Sequence, residues 1–148
     1  MKPIVIVHNK EHLKAVIKQE INQYGNQCDL NHIDLSQLTD ISELFFESDF
    51  NGDISQWDVS HIKNMGCLFM NSKFNGDISK WNISQVTNTT GMFCGSDFNQ
   101  DLSQWNTSQV KSMAFMFFIA ARLSGFFLFS TQGSQSNISV VSGCNVFP

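Results

Sequence analysis

The sequence predicts an α/β solenoid of four 24-residue coils, each a short strand plus a short helical turn, behind an N-terminal amphipathic capping helix. Three observations carry that expectation. The octets running from Phe50 to Trp57, Phe74 to Trp81 and Phe98 to Trp105 share the pattern Phe-Asn-Gly/Gln-Asp-Ile/Leu-Ser-Gln/Lys-Trp and lie 24 residues apart. A unit of that length cannot bury its own apolar face, so stacked neighbours must supply the core. Ahead of the repeats, Leu13, Val16, Ile17 and Ile21 recur at a helical period.

Composition fits one folded domain. The chain has 148 residues with 42% hydrophobic side chains, 14 Phe and 15% charged residues, enough apolar material for a sizeable core and too much for disorder. The net charge is -4, and four of the nine basic residues (Lys2, Lys10, Lys14, Lys18) sit in the first 18 positions. No basic stripe is left to follow a phosphate backbone, which excludes nucleic acid as the expected partner.

The elements follow in order. Residues 1–28 read as an N-terminal strand and the capping helix, the latter over 9–25. Met1-Lys2 and the apolar run after Pro3 are too short for an export signal. Asn9 suits the helix N-cap and Gly25 its stop. The mixed charge of its outer face favours a helix that covers the first coil over one lying on a membrane.

The solenoid is expected over residues 29–118, with coils at 29–52, 53–76, 77–100 and 101–124 and the register fading after 118. A 24-residue period is close to one coil of a leucine-rich-repeat-like solenoid. The first position is always Asp (29, 53, 77, 101), the fifth is Ile33, Trp57, Trp81 and Trp105, and the eighth is always Ser (36, 60, 84, 108). The tryptophan column reads as core in preference to an exposed aromatic stripe. Asp-Ile-Ser-x-Trp reads as a short strand with Ile and Trp on one face. Asn64 to Met70 reads as a helical or 3₁₀ turn, and Asn-Gly at 51–52 and 75–76 as corners. Residues 119–148 read as a diverged cap or as a non-native tail left by a shifted frame or a cut repeat array, and the second reading would make the chain the N-terminal remnant of a longer repeat protein with no independent role. The apolar run from Met113 to Phe129, interrupted by Arg122 and Ser124, falls short of a membrane span. An uncapped end there would favour self-association.

Over residues 29 to about 118 the unit Phe-Asn-Gly-Asp-Ile-Ser-x-Trp-Asp/Asn-Val-Ser-x-Val-x-Asn-Met-x-x-Met-Phe resembles the repeat of BspA-like leucine-rich-repeat bacterial surface proteins in their short-repeat, lipoprotein-associated form. The resemblance implies a non-enzymatic protein, displayed on the cell surface or secreted, that binds host or matrix proteins or other cells. It supplies no particular ligand.

Chemistry-bearing residues are weighed against structural roles. The Asp column beside Asn51, Asn75 and Asn99 lacks the ligand density of calcium repeats and reads as corner hydrogen bonding facing solvent. His8, His12, His32 and His61 stand at no metal-ligand spacing, no phosphate loop or nucleophile motif is present, and no catalytic residue, metal or cofactor is expected. Cys28, Cys67, Cys94 and Cys144 read as free packing thiols. The Asn-x-Ser/Thr matches at 82, 88 and 106 follow largely from the repeat itself. The candidate binding surface is the set of polar positions that vary between coils: Gln56, Lys80 and Gln104 in one column, and His61, Gln85 and Gln109 in another.

Overall fold

Two short parallel strands and one helix close off the first repeat in the computed structural model, which describes residues 2–118. The expectations for residues 119–148, including the tail, Cys144 and most of the Met113–Phe129 run, lie outside the described residues. Helix α1 (Lys10–Tyr24) starts where the Asn9 side chain accepts from the His12 amide at 2.8 Å. It stops at Gly25, whose φ of 82° lets its N–H return to the Ile21 carbonyl at 2.8 Å. Leu13 and Ile17 are buried, with Val16 and Ile21 packed beside them. Strand β1 (Val5–Ile6) pairs with β2 (Ile33–Asp34), Val5 opposite Ile33. Among the described residues no helix is long and apolar enough to cross a membrane.

Beyond β2 the repeats are built from turns. Parallel bridges join Asp29 to Asp53, Asp40 to Asn64, Asn64 to Asn88 and Asn88 to Ser112, so equivalent residues of neighbouring repeats lie side by side. The expected strand at Asp-Ile-Ser-x-Trp does not form in these repeats. Instead Trp57 N–H bonds the Ile54 carbonyl at 3.1 Å, and Trp81 and Trp105 repeat the bond to Ile78 and Leu102. The physical reason lies in parity: Ile54 and Trp57 are three residues apart, which a strand would place on opposite faces. A turn brings its first and fourth residues to the same side. A second turn follows at once, with Ile62 N–H on the Val59 carbonyl and Val86 N–H on that of Ile83.

The expected helical turn at Asn64 to Met70 is also replaced. The amides of Met65, Cys67, Phe69 and Asn71 reach across to the carbonyls of Asn88, Thr90, Met92 and Cys94 at 2.8–2.9 Å. The amides of Leu68, Met70 and Ser72 fold back to the carbonyl three residues earlier. Alternate donors are therefore committed to the next repeat, and no continuous helical ladder can form. The turns closing on Leu68 and Ser72 hold Cys67 at φ 53° and Asn71 at φ 56°, the left-handed third residue of a type II turn. Gly91 and Gly95 meet the same demand in the next repeat at φ 62° and 67°, whereas Glu43, Glu47 and Phe115 meet it with a side chain.

The core is a set of side-chain ladders. Phe45, Phe69 and Phe93 stack at 5.6 Å intervals, and Phe50, Phe74 and Phe98 form a second file at 6.2 and 6.3 Å. Within one repeat the files touch, Phe69 to Phe74 at 4.3 Å, so the rings make one offset-stacked block. Trp57, Trp81 and Trp105 are buried as the sequence predicts. Each indole Nε1 donates to a carbonyl of the preceding repeat: Leu30 at 2.9 Å, Ile54 at 3.1 Å and Ile78 at 3.1 Å. That bond explains the divergent first unit, where Ile33 occupies the Trp column and no earlier repeat offers a carbonyl.

Candidate binding surface

Each outward column begins with a side chain that closes its own turn. In the first position Asp53, Asp77 and Asp101 accept through Oδ1 from the amides of Ser55, Ser79 and Ser103 at 2.8–2.9 Å. Asp58, Asn82 and Asn106 do the same for Ser60, Ser84 and Ser108 at 3.0–3.1 Å. These local bonds fix the turns while leaving the acidic side chains exposed. The Ser55 and Ser79 amides hold the Asp53 and Asp77 carboxyls below the usual carboxylate range. The hydroxyl and amide of Ser60 do so for Asp58.

Gln56, Lys80 and Gln104 occupy the third residue of the first turn in successive repeats, and all three are exposed. The Gln56 and Gln104 side chains reach the neighbouring Ser55 and Ser103 hydroxyls at 3.3 and 3.4 Å, while the Gln56 main-chain N–H donates to Asn31 Oδ1 of the preceding repeat at 2.8 Å. His32 holds the equivalent place in the first repeat but is covered: its Nε2 lies 3.5 Å from Glu20 of α1, its side chain is 9% exposed, and its Nδ1 is buried without a partner. Glu20 also receives the Lys2 ammonium, which packs over the Tyr24 ring. The free column therefore starts at Gln56.

Gln85 and Gln109 are exposed at the third residue of the second turn. His61, expected beside them, is not free. Its Nε2 donates to the Leu35 carbonyl of the preceding repeat at 2.9 Å, so it serves the stack and not the surface. The two columns sit on separate turns, joined by Trp57–Asp58–Val59 and the equivalent segments, and form two parallel polar stripes. On the outward face of α1, Ala15, Lys18, Gln19, Asn22 and Gln23 line a shallow, open depression.

Two further columns carry weight that the repeat pattern left unread. Asn64 Nδ2 donates to Asp40 Oδ2 at 3.0 Å, and Asn88 Nδ2 to Asn64 Oδ1 at 2.9 Å. The ladder ends on a carboxylate because Lys10 of α1 meets Asp40 Oδ1 at 3.3 Å and Ser42 Oγ at 2.7 Å. The other column is Ser48, Ser72 and Ser96, whose hydroxyls accept from the amides of Phe50, Phe74 and Phe98 at 3.1–3.3 Å. Ser-x-Phe at a constant spacing was the available signal. Among the described residues no three His, Cys, Asp or Glu side chains group as a metal site, and Cys28, Cys67 and Cys94 are free thiols.

A unit of fixed length, paired in register with its copies and varied at its turn tips, defines a repeat protein. The chain belongs to the bacterial family described as "Mycoplasma protein of unknown function, DUF285", whose match covers residues 12–126. No curated protein and no solved structure matches it.

Proposed function

We propose that this chain is a leucine-rich-repeat-like solenoid of the BspA-like kind, working as a non-enzymatic protein-binding or adhesion module at the cell surface or after secretion. The observation that carries the reading is the exposed column Gln56, Lys80 and Gln104, where side-chain identity changes on an otherwise repeated backbone. Evenly spaced polar tips on a stiff stack suit a broad macromolecular surface, which is how repeat proteins bind. Gln85 and Gln109 extend the same face by a second stripe.

The test is surface plasmon resonance of soluble matrix proteins over the immobilised full chain, beside a triple variant with Gln56→Ala, Lys80→Ala and Gln104→Ala. Saturable binding that the triple variant loses, with its circular dichroism unchanged, supports the proposal. Binding that is absent, or indifferent to the triple substitution, overturns it.

A further inference from the structure

An apolar stripe runs along the turn segments that contain Asn64 to Met70 and its equivalents. Phe46, Met70, Cys94 and Phe118 stand 24 residues apart in consecutive repeats. The carbonyls of the last three accept from the amides of Glu47, Asn71 and Gly95 in the repeat before, at 2.9, 2.8 and 2.9 Å, so the four residues lie in register along the stack. Phe46 is 43% exposed and Phe118 50%, and Met70 and Cys94 are half-buried between them. Cys67 and Met70 both reach the Cβ position of Gly91, at 3.3 and 4.0 Å. Phe115, 67% exposed, meets the Phe118 ring edge-on at 5.7 Å.

The other outward columns are polar: Asp53, Asp77 and Asp101; Gln56, Lys80 and Gln104; Asp58, Asn82 and Asn106. Single exposed apolar residues are ordinary, whereas a contiguous row of them marks a contact surface. Burial, and behind it the Glu43 carboxylate and Cys94, push the Cys67 thiol up, which keeps it neutral and apolar on this face. Main-chain groups along the stripe are already committed. The amides of Cys67, Phe69 and Asn71 go to the next repeat and those of Leu68, Met70 and Ser72 fold back. The face therefore offers side chains and no strand edge. Its first-repeat end is acidic, with Glu43, Glu47 and Asp49 exposed, while Lys73 of the next repeat is paired with Asp97 at 3.6 Å.

We propose that this stripe docks an amphipathic α-helix of a partner protein, its apolar edge along Phe46, Met70, Cys94 and Phe118 and its basic residues at the end that meets Glu43 and Glu47. Successive rungs lie roughly 4.8 Å apart, close to the rise of about 5.4 Å per helical turn. Three steps make a stripe about 15 Å long, which about three turns of helix span with one apolar residue on each rung. A second copy fits less well, because so narrow a strip falls short of the roughly 800 Å² per partner that a stable dimer buries. Anionic lipid would meet the same carboxylates that attract a basic helix.

The test is fluorescence anisotropy of a labelled synthetic peptide of about 14 residues, with Leu along one helical edge, Ala and Gln elsewhere and a pair of Lys at one end, titrated with the full chain. A scrambled peptide of the same composition, its Leu spread around the helix, should bind at least about 10-fold more weakly. Phe46→Ser combined with Phe118→Ser changes exposed positions only and should lose about 10-fold or more, with circular dichroism unchanged. Glu43→Gln combined with Glu47→Gln should lose about 3-fold, an effect that added salt shrinks. The triple variant at Gln56, Lys80 and Gln104 should bind the peptide as the parent does, which keeps this surface separate from the polar column. Absent binding, equal binding of the scrambled peptide, or indifference to the paired serine substitutions overturns the proposal. A dimer in sedimentation that the paired serine substitutions dissolve overturns it in favour of a second copy. Flotation with phosphatidylglycerol vesicles that the same substitutions abolish overturns it in favour of a membrane.

Discussion

Replacing Trp81 by alanine should bring the protein close to unfolding. The side chain is 4% exposed, its ring lies 6.4 Å from that of Trp57 with planes 9° apart, and its Nε1 donates to Ile54 at 3.1 Å. Truncating a buried aromatic of this size costs about 3–5 kcal/mol. The Ile54 carbonyl, left buried without its donor, adds about 1–3 kcal/mol. Against the roughly 5–15 kcal/mol that holds a typical domain together, this is a large fraction. Trp81→Phe separates the two effects, because it keeps most of the stacked ring and drops the hydrogen bond. In urea unfolding followed by circular dichroism, with a slope of about 2 kcal/mol/M, the alanine midpoint should fall by about 2 M or more and the phenylalanine midpoint by about 1 M. An alanine midpoint within about 0.5 M of the parent, on that same slope, would refute the ladder as the source of stability. Equal losses for both variants would refute the separation of ring from hydrogen bond.

Gly52→Ala should be costly, because its Cβ would sit 2.0 Å from the Cys28 carbonyl oxygen and 2.7 Å from the Phe50 ring. Gly76→Ala meets the Phe74 ring at 2.8 Å but backbone only at 3.4 Å. Thermal melting should therefore rank Gly52→Ala below Gly76→Ala, and the reverse order would contradict the packing described. At Glu47, exposed with φ 52°, substitution by glycine should gain up to about 1 kcal/mol by relieving the left-handed backbone, net of glycine's greater unfolded-state entropy. Glu47→Val should instead lose stability, and matching urea midpoints for the two would count against strain at this turn. Acid should weaken the fold through the turn carboxylates. Asp53, Asp58 and Asp77 titrate below the ordinary range in the native state. The unfolded chain therefore binds more protons just below about pH 4, and their stabilisation is complete above that value and lost as pH falls through the native values. Urea midpoints at neutral and acid pH measure this, and Asp53→Asn, which keeps the turn acceptor, should reduce the difference.

What could be read in the sequence was what a column of like residues reports. Phe50, Phe74 and Phe98, or Trp57, Trp81 and Trp105, share one environment because each copy sits on the last, and the recurrence marks them as core before any backbone is known. Helix α1 was legible with both its ends, since Asn9 and Gly25 act locally. Backbone conformation within the repeat was harder. Leu68 and Phe69 point inward side by side because the chain is turning between two rows of inter-repeat hydrogen bonds, and adjacent apolar residues resemble helix and turn alike. The left-handed positions gave no signal where Glu43, Cys67 or Phe115 occupies them, and only Gly91 and Gly95 hinted at the demand. His61 looked like a variable surface residue because its bond to Leu35 runs between repeats, and nothing local announces a partner 26 residues away.

The division of labour between columns explains how such a chain can change its surface without losing its fold. Inter-repeat cohesion runs through main-chain pairs such as Phe69 to Met92, through the indole donors and through the Asp40–Asn64–Asn88 ladder, which Lys10 of α1 terminates. None of these uses the Gln56, Lys80 or Gln104 side chain. Each of those residues stands at a turn whose closure is secured by the preceding Asp and whose depth is secured by the following Trp. Substitution there costs the fold little, within the roughly 0.5 kcal/mol expected of a surface site, so these positions are free to follow whatever they contact. His61 marks the limit of that freedom. By bonding Leu35 it couples its own turn to the repeat before it, whereas the glutamines at 85 and 109 stand exposed in the same column. The second stripe is therefore open to solvent at residues 85 and 109 and a structural contact at 61.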